Sequence, residues 1–562
     1  MRLTLLLLAA AVAVTAAETP TVAIRVDQAG YLPSMPKVAF VVAAQPAANF
    51  TLRNSADAKV VLTGKLNDAM PDPDSGDKVQ SADFSSVKQT GTYYIDVPGV
   101  GRSWNFAIAP GVYDRAFYLA TRSYYGQRCG IAVDLGPEFP GYRHDACHLE
   151  GAYHASSGKT GTAPSTGGWH DAGDYGRYIV NSGISTGTLL WAYELFHARI
   201  GNVDLKLQES GNGTPDLLNE IRWNLRWMLT MQDQDGGVWH KQTSEKFCAF
   251  IMPEKDKLIS YVIGTGEDPF KSSCATGDFA AVMAIAARVY RPFDAKFAQQ
   301  CLVASKKAFI WLAAHPAVLY RNPQGISTGA YGDRDCQDEA FWAAAELYRT
   351  TRDNSYERYL LDHYQAFAAK VSAPGWPSVA SMGLWAYAFA QPSNAASETI
   401  RKATLEAADR LTAKSAGNGY RITLSASDYV WGSNGTVGNQ ALLLLIANEF
   451  KPTDGYKRAA LDDLHYLLGR NTFSLSFVTQ LGANPVRHPH HRPSGADNNP
   501  EPWPGLLSGG PNHSRQDPAM RKLPDGLPPA KMYLDDQESY ATNEVAINWN
   551  APLVFLLAAF HQ

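Results

Sequence analysis

TPDLLNEIRWNLRWMLTMQ, residues 214–232, decides the fold class. Thr214 stands where a helix cap stands and Pro215 holds the first helical position, where no N–H is needed; apolar residues then recur every three and four positions. The same pattern returns at 114–125, 183–199, 275–290, 295–314, 339–351, 356–371, 395–413, 439–450, 456–468 and 543–561. About a dozen helices are therefore expected, with almost no strand signal between them. Residues 111–562 read as an all-α domain of paired helices whose polar loops gather at one end to form a site.

Residues 21–110 follow another pattern. KVAFVVA (37–43), FTLR (50–53), KVVLTG (59–64) and GTYYIDVPGVGRSWNFAIA (91–109) are short strand-like runs separated by turn formers, which predicts a small all-β sandwich. Ahead of it, MRLTLLLLAAAVAVTAAETP has the layout of a secretory signal peptide over 1–17, so a secreted or periplasmic protein is expected. That apolar run is too short to span a bilayer comfortably, and no second apolar segment of about 20 residues is seen.

Lys plus Arg number 50 against 54 Asp plus Glu, a net charge of −4, which gives no electrostatic reason for a nucleic-acid or membrane partner. Aromatic residues make up 11%, including 13 Trp and 27 Tyr, which suits sugar stacking as well as packing. The six Cys residues are too few for a disulfide scaffold in so long a chain, and their pairing stays open. The longest irregular stretch, 483–532, is rich in Pro, Gly, His and Asn; a loop of that length in a compact domain is functional or disordered.

Two acidic clusters carry the chemistry. WHDAGD sets Asp171 and Asp174 on one bend, and SYATNE brings Glu544 to the start of the last expected helix. Paired carboxyls break glycosidic bonds, one protonating the leaving oxygen while another activates water or attacks carbon. A single acid at such a place more often caps a turn or a helix N-terminus. Three longer stretches settle the choice: GGWHDAGDYGRYIVNSG (167–183), LLGRNTFSLSFVTQLGANPVRHPHHRPS (467–494) and SYATNEVAINWNAPLVFLLA (539–558) together resemble the signature regions of family 9 glycoside hydrolases, in the family's order. IRVDQAGYLPSMPKVAFVV (24–42) similarly resembles the immunoglobulin-like domain that precedes the catalytic domain in one branch of that family.

The resemblance implies an (α/α)6 barrel behind an immunoglobulin-like β-sandwich, and hydrolysis of β-1,4-glucans with inversion at the anomeric carbon. Carried over by motif, Asp174 is the catalytic base, Asp171 the carboxylate that holds the attacking water, and Glu544 the general acid, kept protonated by apolar or acidic surroundings. His490 and Arg492 would bind sugar hydroxyls, and Tyr540 and Trp431 would line the cleft, although core packing suits the two aromatic residues as well.

Cys129, Cys147, His148 and His170 form a C-x17-C-H-x21-H set of thiolate and imidazole ligands suited to tetrahedral zinc, as in family members with the immunoglobulin-like domain. Four protein ligands leave no open position, so that zinc would be structural; unpaired buried Cys is the plainer alternative. Asp333, Asp335, Asp338 and Glu339 in GDRDCQDE offer closely spaced hard oxygens for calcium, but a later family Asp is replaced here by Pro377 and Ser378. Glu209, Asn212, Asp216 and Asp497 resemble other calcium positions. No organic cofactor is expected.

These readings converge on an exported, monomeric endo-β-1,4-glucanase acting on soluble or amorphous glucan, since no appended carbohydrate-binding module or anchoring repeat is seen. Exo-acting trimming of cellodextrins or glucosamine oligomers uses the same carboxyls. A sugar-binding protein would not need all three of them, and a zinc hydrolase would need an open metal position.

Overall fold

The structure, a computed structural model, describes residues 19–562; the expected signal peptide lies outside the described residues. Nine strands precede the first helix: β1 (Ile24–Arg25), β2 (Val38–Val41), β3 (Asn49–Asn54), β4 (Val60–Lys65), β5 (Met70–Pro71), β6 (Lys78–Asp83), β7 (Gly91–Val97), β8 (Gly101–Arg102) and β9 (Phe106–Ile108). They form two antiparallel sheets, one ordered β1-β2-β6-β5 and one β4-β3-β7-β8 with β9 also on β7. Along β7, Tyr93, Ile95 and Val97 turn inward in alternation and meet Ile24, Val41 and Ala82 of the other sheet, the period of two that a half-buried strand requires. β6 carries too polar a sequence, KVQSAD, to be read as a strand from the chain alone.

Twelve long helices follow: α1 (Asp114–Gly126), α2 (Ile179–Ile200), α3 (Asp216–Thr230), α4 (Ser273–Val289), α5 (Ala295–Ala314), α6 (Gln337–Thr351), α7 (Asn354–Ala368), α8 (Ala380–Ala390), α9 (Ala395–Ala416), α10 (Ser433–Phe450), α11 (Asp454–Leu467) and, after the one-turn α12 (Arg492–Ala496) and α13 (Tyr540–Asn543), α14 (Ile547–Phe560). Within the inner layer α14 packs on α2, α2 on α4, α4 on α6, α6 on α8 and α10 on α14; α1, α3, α5, α7, α9 and α11 lie outside them. This is the (α/α)6 barrel. Inner helices such as α14, INWNAPLVFLLAAF, are apolar all round because protein surrounds them, whereas outer α7 buries only Leu360 and Ala368. Among the described residues no helix is long and apolar enough to cross a membrane.

Four features depart from the sequence reading. The helix of 214–232 begins at Asp216, and Thr214 does not cap it; the Asp216 carboxylate instead accepts from the Leu205 N–H and the Ser210 hydroxyl, which ties down the preceding loop. α8 was not expected, because ASMGLWAYAFA is apolar on every side and shows no helical period. The helical domain also holds short strands: a pair, β10 (Val133–Asp134) with β11 (Arg143–His144), and a four-stranded sheet ordered β12 (Gly151–Tyr153), β15 (Ser260–Ile263), β14 (Lys241–Thr243), β13 (Arg177–Tyr178). Finally, Glu544 is not at the start of the last helix: it lies in extended backbone between α13 and α14, three residues before Ile547.

The sandwich grips the barrel through its QAGY turn. Gln28 donates from Nε2 to the Ser474 carbonyl and accepts at Oε1 from the Ala483 and Asn484 N–H groups. Asp27 beside it pairs with His465 Nδ1 at 2.7 Å. The long stretch 483–532 is packed, with Val486, Leu506 and Leu507 buried.

Candidate active site

Two loops converge because one residue lacks a side chain. A Cβ on Gly173, within WHDAGD, would collide with the His490 carbonyl of HPHHR. With glycine there, the Gly173 carbonyl accepts from the Arg492 N–H at 3.1 Å and from its Nη1 at 2.8 Å. Glu544 joins the same place through strand-like pairing: its backbone bridges His490, and the Asn543 carbonyl accepts from the His490 N–H. A cleft of about 800 Å³ opens there, and all seven expected catalytic and sugar-binding side chains line it: Asp171, Asp174, Glu544, His490, Arg492, Tyr540 and Trp431.

The three carboxyls are held differently. Both oxygens of Asp171 are engaged, Oδ1 by the Asn181 amide and Oδ2 by the Tyr331 hydroxyl at 2.6 Å. Burial, with Asp174 alongside, pushes its pKa up to about 8. Asp174 accepts at Oδ2 from the Gly176 N–H at 2.9 Å and the Tyr178 hydroxyl at 3.3 Å, while its Oδ1 receives no hydrogen bond among the described residues. Burial raises Glu544 well above the usual carboxyl range, and the charges of Asp174 and Asp171 add to that; Arg492 and the Trp431 indole oppose it in part.

His490 places Nδ1 2.6 Å from the Gln537 carbonyl, which can only accept, so the proton of the neutral ring sits there and Nε2 is the acceptor. Burial lowers its pKa and favours that neutral form. Arg492 is fixed by the Cys248 and Gly173 carbonyls. Trp431 and Tyr540 lie with ring centroids 5.4 Å apart, and Trp431 is 39% exposed, a sugar-sized aromatic surface. Sequence reasoning missed Tyr331, Tyr178, Trp376, Phe247 and Asn181. Trp376, alone between Gly and Pro in a loop, carried a signal; Tyr331 reaches Asp171 across 160 residues and carried none.

Beside the cleft, Cys129, Cys147, His148 and His170 bring one ligand atom each within 4.8 Å of one another. Cys129 Sγ is 3.7 Å from His148 Nδ1 and Cys147 Sγ is 3.8 Å from His170 Nε2. Tetrahedral zinc would set such sulfur–nitrogen edges at about 3.6 Å, so the set fits that metal. Asp256 Oδ2, 3.3 Å from His148 Nε2, orients the ring from behind.

The calcium candidates fare unequally. Glu339 is wholly buried with both carboxylate oxygens unpartnered, Asp333 Oδ2 is unpartnered too, and Asp278 on α4, also wholly buried, has no partner at either oxygen. Asp338 accepts from the Val379 N–H and Asp335 from the Gln337 N–H. Orphaned carboxylates around Glu339 suit a cation. Glu209, by contrast, is taken up by Arg128, Asn212 by Asn219, Asp216 by Leu205 and Ser210, and Asp497 by Asn499 and Trp503. A disulfide joins Cys274 to Cys336 beside Glu339, so those thiols are not ligands.

The family model "Glycosyl hydrolase family 9" matches residues 113–557, and "Cellulase N-terminal ig-like domain" matches residues 19–102. Endoglucanase D of Acetivibrio thermocellus is 39% identical over 544 residues, covering 96% of this chain and 83% of that protein. A cellodextrinase of Butyrivibrio fibrisolvens is 34% identical over 555 residues, covering 95% and 98%. The crystal structure of the GH family 9 endoglucanase J30 superposes with a TM-score of 0.89 at 36% identity, covering 94% of this chain and 99% of that one.

Proposed function

Because the chain belongs to glycosyl hydrolase family 9 and carries that family's cellulase N-terminal ig-like domain, we propose that it is an endo-1,4-β-glucanase that hydrolyses β-glucan with inversion at the anomeric carbon. The observation that carries the reading is the contrast between carboxyls. Burial and two neighbouring aspartates push the Glu544 carboxyl toward its protonated form, while Asp174 lines the cleft with Oδ1 unbonded among the described residues.

In this reading a water sits between Asp171 and Asp174. Asp171, fixed by Asn181 and Tyr331, orients it; Asp174 Oδ1 takes its proton as the oxygen attacks the anomeric carbon. Glu544 gives its proton to the departing glycosidic oxygen from the other side of the bond. His490 Nε2 and the remaining Arg492 N–H groups bind hydroxyls, and Trp431 with Tyr540 stacks a sugar ring. Chemistry of this kind needs no organic cofactor.

Zinc at Cys129, Cys147, His148 and His170 would fix the backbone that enters WHDAGD without touching substrate. Calcium would be held at the unpartnered oxygens of Asp333, Glu339 and Asp278, with Asp338 beside them; Glu209, Asn212, Asp216 and Asp497, already engaged by neighbours, are the weaker candidates. Export rests on the N-terminal apolar run. The similarity to a cellodextrinase supports exo trimming as a second reading. Viscosity of carboxymethyl cellulose separates the two: a steep fall before appreciable sugar release supports endo cleavage, and monomer release with unchanged viscosity replaces it with the exo reading.

A further inference from the structure

Lys241 on β14 is wholly buried, yet the atoms that hold its ammonium are neutral. Nζ donates to Asn322 Oδ1 at 2.8 Å, Thr328 Oγ1 at 3.0 Å and the Gly329 carbonyl at 2.7 Å, which satisfies all three N–H groups from one loop. Aromatic faces close the rest, Tyr178 at 5.5 Å and Tyr320 at 5.7 Å. A buried ammonium with no carboxylate in contact is costly to desolvate, and packing alone would be served by an uncharged chain. His240 extends the same clasp: its Nε2 lies 2.8 Å from the Ala330 carbonyl and its ring stacks on Tyr320 at 3.6 Å.

Two routes lead from Lys241 to the acids. Tyr178 is its cross-strand partner in the β13–β14 pair, and the Tyr178 hydroxyl donates to Asp174 Oδ2. The loop held by Nζ runs on through Gly329 and Ala330 to Tyr331, whose hydroxyl donates to Asp171 Oδ2. We propose that Lys241 is a positioning residue for the water-activating side of the site: its positive charge attracts that of Asp174 from behind Tyr178, and its three hydrogen bonds set the loop that brings Tyr331 to Asp171.

Asp174 is the carboxylate whose charge acts on Lys241, and it opposes the burial that pushes the ammonium down to about 7. Below that pH the ammonium is charged. Other titratable and charged groups also face Asp174. Asp171 and Glu544 are raised by its charge, Tyr175 and Tyr178 are neutral, burial holds His490 toward neutrality, and Arg492 is bound to backbone carbonyls. Cys248, Asp256 and His148 face it from the small pocket behind, where Asp256 is paired with His148.

This inference rests on Asp174 being the base. The test is the pH dependence of kcat/KM on cellopentaose for the full chain carrying Lys241→Met, Lys241→Gln, or the pair Asn322→Ala and Thr328→Val, with folding checked by circular dichroism. A folded Lys241→Met or Lys241→Gln should shift the acid limb upward by about half a pH unit or more, because losing a nearby cation raises a carboxylate pKa. The Asn322→Ala, Thr328→Val pair keeps the charge, so it should lower kcat by about threefold or more and leave the limb in place. A folded Lys241 variant with an unshifted limb overturns the electrostatic role. If no Lys241 variant folds while the loop pair has wild-type kcat and pH profile, Lys241 serves the fold alone and the proposal fails. Asp174→Ala, run alongside, separates the two claims: near-wild-type turnover there removes the assignment of the base itself.

Discussion

Among the described residues Asp174 keeps one oxygen unbonded while Asp171, three residues earlier, has both engaged, and the proposed mechanism gives them different work accordingly. Asp174→Ala and Glu544→Gln should each lower kcat by about 10²- to 10⁴-fold on a soluble cellooligosaccharide with the melting temperature nearly unchanged. A second expectation concerns pH. Glu544 must be protonated to act, so activity is lost as pH rises through its raised pKa. Asp171→Asn removes one of the two negative charges that raise it, and the alkaline limb of the residual kcat/KM profile should move to lower pH. The carboxyls were legible because each sits in a motif. Tyr331, Asn181 and Lys241 were not, since nothing in a single sequence reports that residues so far apart share one wall.

At the scale of elements, the Cys274–Cys336 disulfide ties the N-terminus of α4 to that of α6 and closes the loop that carries Gly329, Ala330 and Tyr331. Replacing both cysteines by Ala should lower stability by roughly 2–4 kcal/mol, read from the denaturant midpoint; reductant should then no longer affect the variant. The proposed zinc acts on the neighbouring bend. His170→Ala should release one equivalent of zinc by metal analysis and reduce both melting temperature and rate, the rate less than Asp174→Ala does. Helices with one polar face were legible from their period, and α5 begins and ends where the pattern predicts. α8 was invisible because a helix enclosed by protein needs no polar face, and β13, at two residues, is too short to show any period.

For the whole molecule, the sandwich acts as a brace. Gln28 satisfies three backbone groups of the stretch that leads from α11 toward His490 and Arg492. Gln28→Ala removes three hydrogen bonds across the joint, leaving the Ala483 and Asn484 N–H groups without a protein partner while the Ser474 carbonyl keeps the Asn484 side-chain amide, and should cost about 1–3 kcal/mol, seen as a lower melting temperature of the full chain. Both bodies were legible as different sequence patterns, but the joint between them was not, because it forms between residues more than 440 positions apart. The central claim is that this brace and barrel hold Asp174 and Glu544 for direct displacement by water. Proton NMR of the first products from cellohexaose tests it most directly: the account predicts that the newly formed reducing end appears as the α-anomer before mutarotation, and initial accumulation of the β-anomer would contradict it.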